Sequence, residues 1–189
     1  MENKSKRTIG ILLICTGKYN IFLQQLIDSL DTHFFKNDEI IIYLFWDKPS
    51  YCLKLPSRFS VICTQIEHKP WPFPTLERYK HFSNASEKIK LCSYAYYIDV
   101  DMLLVGDVDE EILGDITVVR HPGFYNNKEW GSPSCYERST AYLKEEYRSR
   151  YLAGGFQGGA TDKFLQMSSI LADNIEADLA IGVTAQHND

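Results

Sequence analysis

Asp99 and Asp101 close the run Tyr94-Ala95-Tyr96-Tyr97-Ile98-Asp99-Val100-Asp101-Met102-Leu103-Leu104-Val105, in which every other residue is apolar or aromatic. A stretch so rich in aromatic and β-branched residues reads as a central strand over 94–105. Side chains two positions apart on a strand leave from the same face, so the two carboxylates point together. Anions side by side at the edge of an apolar core repel each other and are poorly solvated. One must take up a proton, or something positive must lie between them. A divalent cation is the usual answer, and oxygen-only ligation by few protein groups suits Mg²⁺ or Mn²⁺ and leaves positions for the phosphates of a nucleotide. The plainer alternative is a strand end carrying two solvated acids. Asp107-Val108-Asp109 repeats the spacing eight residues on. Followed by Glu110-Glu111-Ile112-Leu113, it reads as the acidic first turn of a short helix, where carboxylates favour the positive end of the dipole, and no chemistry is assigned to it.

The elements that must position Asp99 and Asp101 can be read outward from them. A first strand over Thr8 to Cys15 ends at Thr16-Gly17-Lys18, and an amphipathic helix from about Tyr19 to Phe35 carries Phe22, Leu23, Leu26, Ile27 and Leu30 on one stripe. A second strand, Glu39 to Phe45, breaks at Asp47-Lys48-Pro49, and a third, Phe59 to Ile66, precedes Pro70, Pro72 and Pro74, which exclude regular structure. Thr75 can cap a helix running on to about Leu91. Strands alternating with helices imply a mainly parallel sheet with helices on its faces, and such sheets bind ligands at the carboxyl edges of their strands. Loops 14–19, 47–49 and 99–101 then lie along one edge as a nucleotide-sized crevice. Beyond it, Ala153-Gly154-Gly155-Phe156-Gln157-Gly158-Gly159 removes side chains from a surface, so that backbone can approach a bulky ligand; a plain flexible loop is the competing reading. A helix from about Thr161 to Ala177 follows.

A chain of 189 residues favours one domain with a core large enough to need no disulfide or structural metal. The net charge of -5 argues against a broad electropositive surface, and so against nucleic acid as partner. The longest apolar runs, near Ile9 to Cys15 and Ile40 to Trp46, are too short to span a membrane, and Met1 to Arg7 is polar and basic with no apolar segment behind it. No signal peptide or anchor is expected, and the terminus 1–7 is expected to be flexible. Cysteines 15, 52, 63, 92 and 135 are odd in number and lack CxxC spacing, which argues for reduced thiols in a cytoplasm-like compartment.

Several segments in order resemble glycosyltransferase family 6, the family of the histo-blood-group A and B transferases, the α1,3-galactosyltransferase and the Forssman synthase. They are Ile14-Cys15-Thr16-Gly17-Lys18-Tyr19, Phe45-Trp46-Asp47-Lys48-Pro49, Trp71 with Arg78, Asp99-Val100-Asp101-Met102, His121-Pro122-Gly123-Phe124-Tyr125, Tyr136-Glu137-Arg138 and Gly154-Gly155-Phe156-Gln157-Gly158-Gly159. The resemblance implies an α/β GT-A fold over 1–189, with a mainly parallel Rossmann-like sheet in a nucleotide-sugar half, about 8–105, and an acceptor half, about 106–189. It implies retaining, Mn²⁺- or Mg²⁺-dependent transfer of galactose or N-acetylgalactosamine from its UDP donor to the 3-hydroxyl of a terminal β-galactoside, plain or fucosylated.

The same resemblance assigns roles. Ile14, Cys15, Thr16 and Tyr19 fall in the segment that holds uracil and ribose, with Trp71 beside it. Arg78 falls where an arginine reaches donor and acidic motif, a place from which it can also pair with Asp99. Asp99 and Asp101 match the metal ligands, and Val100 the residue whose backbone lies against ribose. Ala153, Gly154 and Gly155 match positions that discriminate between donors, and small residues there favour N-acetylgalactosamine. His121, Cys135, Tyr136, Ala153 and His187 match acceptor-facing positions, although His121 can instead serve its own loop; Gln157 replaces an aromatic. Counting from Gly159, Asp189 matches the Asp before the family's carboxylate, which would be residue 190, so the chain reads as a C-terminally shortened member. A one-residue shift would make Asp189 itself the catalytic acid, but it requires an insertion that nothing in the sequence calls for. With no signal or anchor expected, the resemblance implies a bacterial or viral member, placed in the cytoplasm of a bacterium or a virus-infected cell. Two rivals stand beside this reading. A haloacid-dehalogenase-like phosphohydrolase would carry its Asp-x-Asp on the first strand, which here has no Asp, and a degenerate relative would bind UDP-sugar without transferring it.

Overall fold

The computed structural model describes residues 6–48, 53–125, 136–148 and 151–185. Six strands form one sheet: β1 (Thr8–Cys15), β2 (Glu39–Trp46), β3 (Phe59–Gln65), β4 (Tyr94–Ile98), β5 (Thr117–Arg120) and β6 (Leu152–Ala160), in the order β3-β2-β1-β4-β6-β5. β1 pairs in parallel with β2 and β4, and β2 with β3. β6 runs antiparallel to both β4 and β5. The chain winds outward from β1 to β3 and then returns to place β4 on the other side of β1. The strand order thus reverses between β1 and β4, where sheets of this kind open a crevice at their carboxyl ends.

The period-2 alternation of β1 explains how the sheet is covered on both faces. Ile9, Ile11, Leu13 and Cys15 pack with Leu23, Leu26, Ile27 and Leu30 of helix α1 (Leu23–His33). Leu12 and Ile14 pack on the opposite face with Tyr43, Phe45, Phe82 and Tyr97, beneath Phe164 and Leu165 of helix α5 (Thr161–Ala180). Each of these fully buried side chains contributes about 1.5–3 kcal/mol. Arg7, at the end of the terminus expected to be flexible, is held by Asp38, which accepts from its backbone N–H at 2.9 Å and from its guanidinium at 2.9 Å.

Four elements differ from the sequence expectation. The strand expected over 94–105 stops at Ile98, because Met102 N–H donates to Asp99 O at 3.0 Å and closes a turn. The helix expected over Tyr19 to Phe35 begins as a 3₁₀ turn, Gly17–Ile21, and becomes α-helical only at Leu23; Asn20 turns its side chain to Gly17 O and Asp47 there, competing with helix geometry. The helix expected from Thr75 to Leu91 is three short helices, α2 (Phe73–Leu76), α3 (Arg78–Asn84) and α4 (Ser86–Ile89), with the backbone leaving helical geometry at Ala85. Thr75 lies inside α2 rather than capping it, since Pro72 is itself the N-cap residue and Pro74 sits in the first turn, where a missing N–H costs nothing. The fourth difference is the glycine-rich block, which is strand β6. A Cβ on Gly158 would lie 2.3 Å from Tyr96 Cδ1 and 2.4 Å from Ala95 O, so this glycine is needed for strand packing.

Candidate functional site

Loops following β1 and β4 face each other across a cavity of about 610 Å³, with the proline-rich segment 68–75 as its third wall. The first loop is held from below. Asp47, just past β2, accepts from Gly17 N–H at 2.8 Å and from Asn20 Nδ2 at 3.2 Å. Burial pushes its carboxyl up, but these hydrogen bonds outweigh burial and leave its pKa below the ordinary value. The Trp46 indole N–H donates to Asn20 Oδ1. Gly17 has φ +60, and a Cβ there would lie 2.7 Å from the His68 ring, whose Nδ1 is 3.1 Å from Thr16 Oγ1. Only glycine accepts both the backbone and the close ring.

At the β4 end, Asp99 N–H still bonds Gly155 O at 2.8 Å before the chain turns through Val100 and Asp101. Val100 is buried in the core, Asp99 half-buried and Asp101 exposed, so an apolar anchor separates two acids on the cavity wall. The same-face strand argument therefore does not apply, and the turn brings both acids to the cavity instead. Beneath Asp99, the Tyr97 hydroxyl donates to Asp99 Oδ1. The Arg78 guanidinium, fully buried, stacks 4.7 Å from the centre of the Tyr97 ring and donates to Thr75 O at 2.9 Å and Gly154 O at 3.1 Å. Burial raises the Tyr97 phenol well above its ordinary pKa; Arg78 opposes this and Asp99 reinforces it, so Tyr97 stays a donor.

Strand β6 reaches this cluster through an irregularity. Its pairing with β5 jumps from Gln157 to Ala153 between Val118 and Val119, so residues 154–156 bulge away from β5 toward Asp99. A Cβ on Gly155 would sit 2.9 Å from Asp99 Oδ2 and 3.3 Å from Met102 Sδ. The carboxylate thus occupies a cradle that any larger residue would fill.

Ile14, Thr16, Tyr19, Trp71, Asp99, Val100 and Asp101 line the cavity together. Cys15 does not join them. Its side chain is buried on the α1 face of the sheet, with burial and the Asp47 charge pushing its thiol up to about 12. Arg78, Gly154 and Gly155 stand behind the wall, connected to it through Tyr97 and Asp99. His121, Tyr136 and Ala153 do not line this cavity. His121 Nδ1 accepts from Gly123 N–H at 3.2 Å, its ring lies 4.7 Å from Phe124, Tyr136 is half exposed, and Ala153 pairs with Val119. Cys135, His187 and Asp189 fall outside the described residues.

Sequence reasoning placed Lys18 in the crevice only as part of loop 14–19, and missed His68, Lys69, Pro70, Pro74, Thr75 and Tyr97 as cavity residues. Tyr97 had a signal, since it sits two positions before Asp99 on the same strand face; its aromatic ring was read as a strand former only. His68 and Lys69 had only the polar break before the prolines. Among the described residues no group of three or more His, Cys, Asp or Glu stands together. Asp99 and Asp101 are the carboxylates on the cavity wall. Hard oxygen donors in this number fit Mg²⁺ or Mn²⁺ completed by a ligand's own oxygens, and do not fit a closed zinc site.

The sequence profile of glycosyltransferase family 6 matches residues 1–189. The chain is similar to histo-blood group ABO system transferase 1 of Rattus norvegicus, 30% identical over 96% of this chain and 54% of that protein. It is also similar to globoside alpha-1,3-N-acetylgalactosaminyltransferase 1 of Gallus gallus, 28% identical over 94% of this chain and 54% of the relative. The O-antigen biosynthesis glycosyltransferase WbnI of Escherichia coli is 27% identical over 96% of this chain and 78% of its own length. The chain spans about half the length of the first two relatives. No described helix is long and apolar enough to cross a membrane.

Proposed function

Because the chain belongs to glycosyltransferase family 6 and folds as an α/β GT-A protein, we propose that it binds a UDP-sugar in the cavity between β1 and β4 and transfers the hexose to a galactoside. The observation that carries this reading is the placement of Asp99 and Asp101 opposite Thr16 and Tyr19, at the point where strand order reverses. Ile14, Thr16, Tyr19 and Trp71 would hold the uridine, with Lys18 and Lys69 on the same walls to meet phosphate charge. Lys69 already pairs with Glu77 at 2.7 Å, so Lys18 is the better placed of the two.

Asp99 and Asp101 would hold Mn²⁺ or Mg²⁺, which when bound stabilises the negative charge that builds on UDP as the sugar–phosphate bond breaks. The chain's own residues do the rest. Tyr97 orients Asp99, Arg78 fixes the Gly154 carbonyl, and the Asp47 brace keeps the first loop in place for the nucleotide. The relatives named above point to galactose or N-acetylgalactosamine, and Gly154 and Gly155 favour the bulkier acetamido sugar. Retention of configuration requires a carboxylate nucleophile beneath the sugar or same-face attack; the family's carboxylate would follow Asp189, and Asp189 itself takes that place only with a one-residue shift.

Incubation with UDP-N-acetylgalactosamine or UDP-galactose, Mn²⁺ and a plain or fucosylated β-galactoside tests the proposal, with mass spectrometry of the acceptor as readout. One added hexose or N-acetylhexosamine, α1,3-linked, is the expected product. UDP release with no acceptor product would show transfer to water only, and metal-dependent stabilisation by UDP with no turnover would leave donor binding alone; either result overturns transfer to the glycan.

A further inference from the structure

Tyr97 is buried and fixed at both ends. Its ring carries the Arg78 guanidinium at 4.7 Å from the centroid, and its hydroxyl donates to Asp99 Oδ1. The phenol cannot swing away from the carboxylate without leaving the guanidinium. Asp99 is further constrained through its backbone N–H, which donates to Gly155 O at 2.8 Å, and at Oδ2, which lies over the cradle left by Gly155.

This arrangement limits how Asp99 can meet a cation. Gripping one ion with both carboxylate oxygens needs an inward lone pair and free rotation of both, and at Oδ1 one of the two lone pairs already accepts from Tyr97, which also fixes the plane of the carboxylate. Two-oxygen ligation is thereby disfavoured at Asp99 and one-oxygen ligation favoured. Mg²⁺ and Mn²⁺ take octahedral sets of single oxygens, whereas Ca²⁺ commonly completes six to eight ligands by taking carboxylates through both oxygens. We propose that Tyr97 is a specificity-determining positioning residue: it holds Asp99 to one-oxygen ligation and so sets the cavity's preference for Mg²⁺ or Mn²⁺ over Ca²⁺. The inference rests on the reading of Asp99 and Asp101 as cation ligands.

The test is calorimetric titration of Mn²⁺, and separately of Ca²⁺, into protein saturated with UDP, for wild type and Tyr97→Phe. The phenylalanine keeps the ring for Arg78 and removes only the hydroxyl. Wild type is expected to bind Mn²⁺ more tightly than Ca²⁺, and Y97F to narrow the ratio of the two Kd values by about tenfold, the scale of one hydrogen bond to a charged group. A merely structural role would weaken both ions alike, and an unchanged ratio overturns the proposal. Should Y97F fail to fold, the wild-type titrations decide: Ca²⁺ bound as tightly as Mn²⁺ in the presence of UDP overturns the proposal. If wild type binds neither ion in the presence of UDP, the cation reading falls and takes this inference with it. Tight Mn²⁺ binding with a ratio insensitive to Tyr97 sinks the inference alone.

Discussion

Gly155 and Gly158 lie three residues apart in β6, yet alanine at each should fail in a different way. At Gly158 the new Cβ would meet Tyr96 Cδ1 at 2.3 Å, Ala95 O at 2.4 Å and Tyr96 Cα at 2.7 Å, two of them backbone atoms in the middle of the sheet. Relief requires β4 and β6 to separate. Overpacking of this kind costs about 3 kcal/mol at the upper end of the usual range, and a chain of this size loses about 2–4 °C of Tm per kcal/mol. G158A should therefore melt about 6–12 °C below wild type. At Gly155 the nearest atom is Asp99 Oδ2 at 2.9 Å, the tip of a side chain, and an ordinary contact at 3.4 Å is reached if the carboxylate moves by about half an ångström. That movement is cheap for the fold. It is large for a ligand, because binding groups work within about 0.5 Å of their productive position. G155A should keep its Tm within about 2 °C of wild type while Mn²⁺-supported UDP affinity falls about tenfold or more, equal to about 1.4 kcal/mol. Differential scanning fluorimetry and calorimetric titration of UDP with Mn²⁺ read the two effects separately. The reasoning is refuted if G155A melts as low as G158A, or if G155A binds UDP and Mn²⁺ as wild type does.

Asp47→Asn should cost about 1–2 kcal/mol at pH 7 by weakening the charge-assisted bond from Gly17 N–H. Because the folded carboxyl titrates below its ordinary 3.8, Asp47's contribution is present above about pH 4 and is lost as pH falls through the lowered folded value. Urea denaturation at pH 7 and pH 3 should show the gap between D47N and wild type closing at the lower pH; a constant gap contradicts the assignment. Arg78→Lys should lower stability by about 2–4 kcal/mol, since an ammonium cannot serve Thr75 O and Gly154 O while stacking on Tyr97; thermal melts superimposable on wild type would refute this. Gln157→Leu leaves the buried Tyr79 hydroxyl without its 2.9 Å and 3.2 Å bonds to the amide and should cost about 1–3 kcal/mol, measurable as a lower urea midpoint.

The parallel half of the fold was legible in the sequence because β1 and β2 are short continuous apolar runs, buried on both faces, and β3 is a β-branched run at the sheet edge, with breaks at Gly17, at Asp47 and before the prolines. The crevice followed from the alternation of strands and helices, but of the three loops expected along it, 47–49 gives no cavity-lining residue among the described residues, and Asp47 instead braces the first loop. Strand β6 was not legible. Glycine carries no side-chain pattern, and its place in the sheet is decided by Tyr96 and Asp115, from which it is separated by many residues and which leave no room for a Cβ. The helix break at Asn20 was hidden for a related reason, as it depends on contacts with Trp46 and Asp47. The aspartates were found for a partly mistaken reason: they reach one cavity through a turn that buries Val100, not through strand alternation. Tyr97, Arg78 and Gly155 form the support beneath Asp99, and only Arg78 and Gly155 had been singled out, both through the family resemblance.

The central claim is that Asp99 and Asp101 hold a divalent cation on which UDP binding depends. Calorimetric titration of UDP into wild type with Mn²⁺, into wild type after exhaustive chelation, and into the Asp99→Ala, Asp101→Ala double variant with Mn²⁺ measures it directly. The account predicts tight binding in the first case and at least about a tenfold loss in the other two. Equal affinity in all three would contradict it.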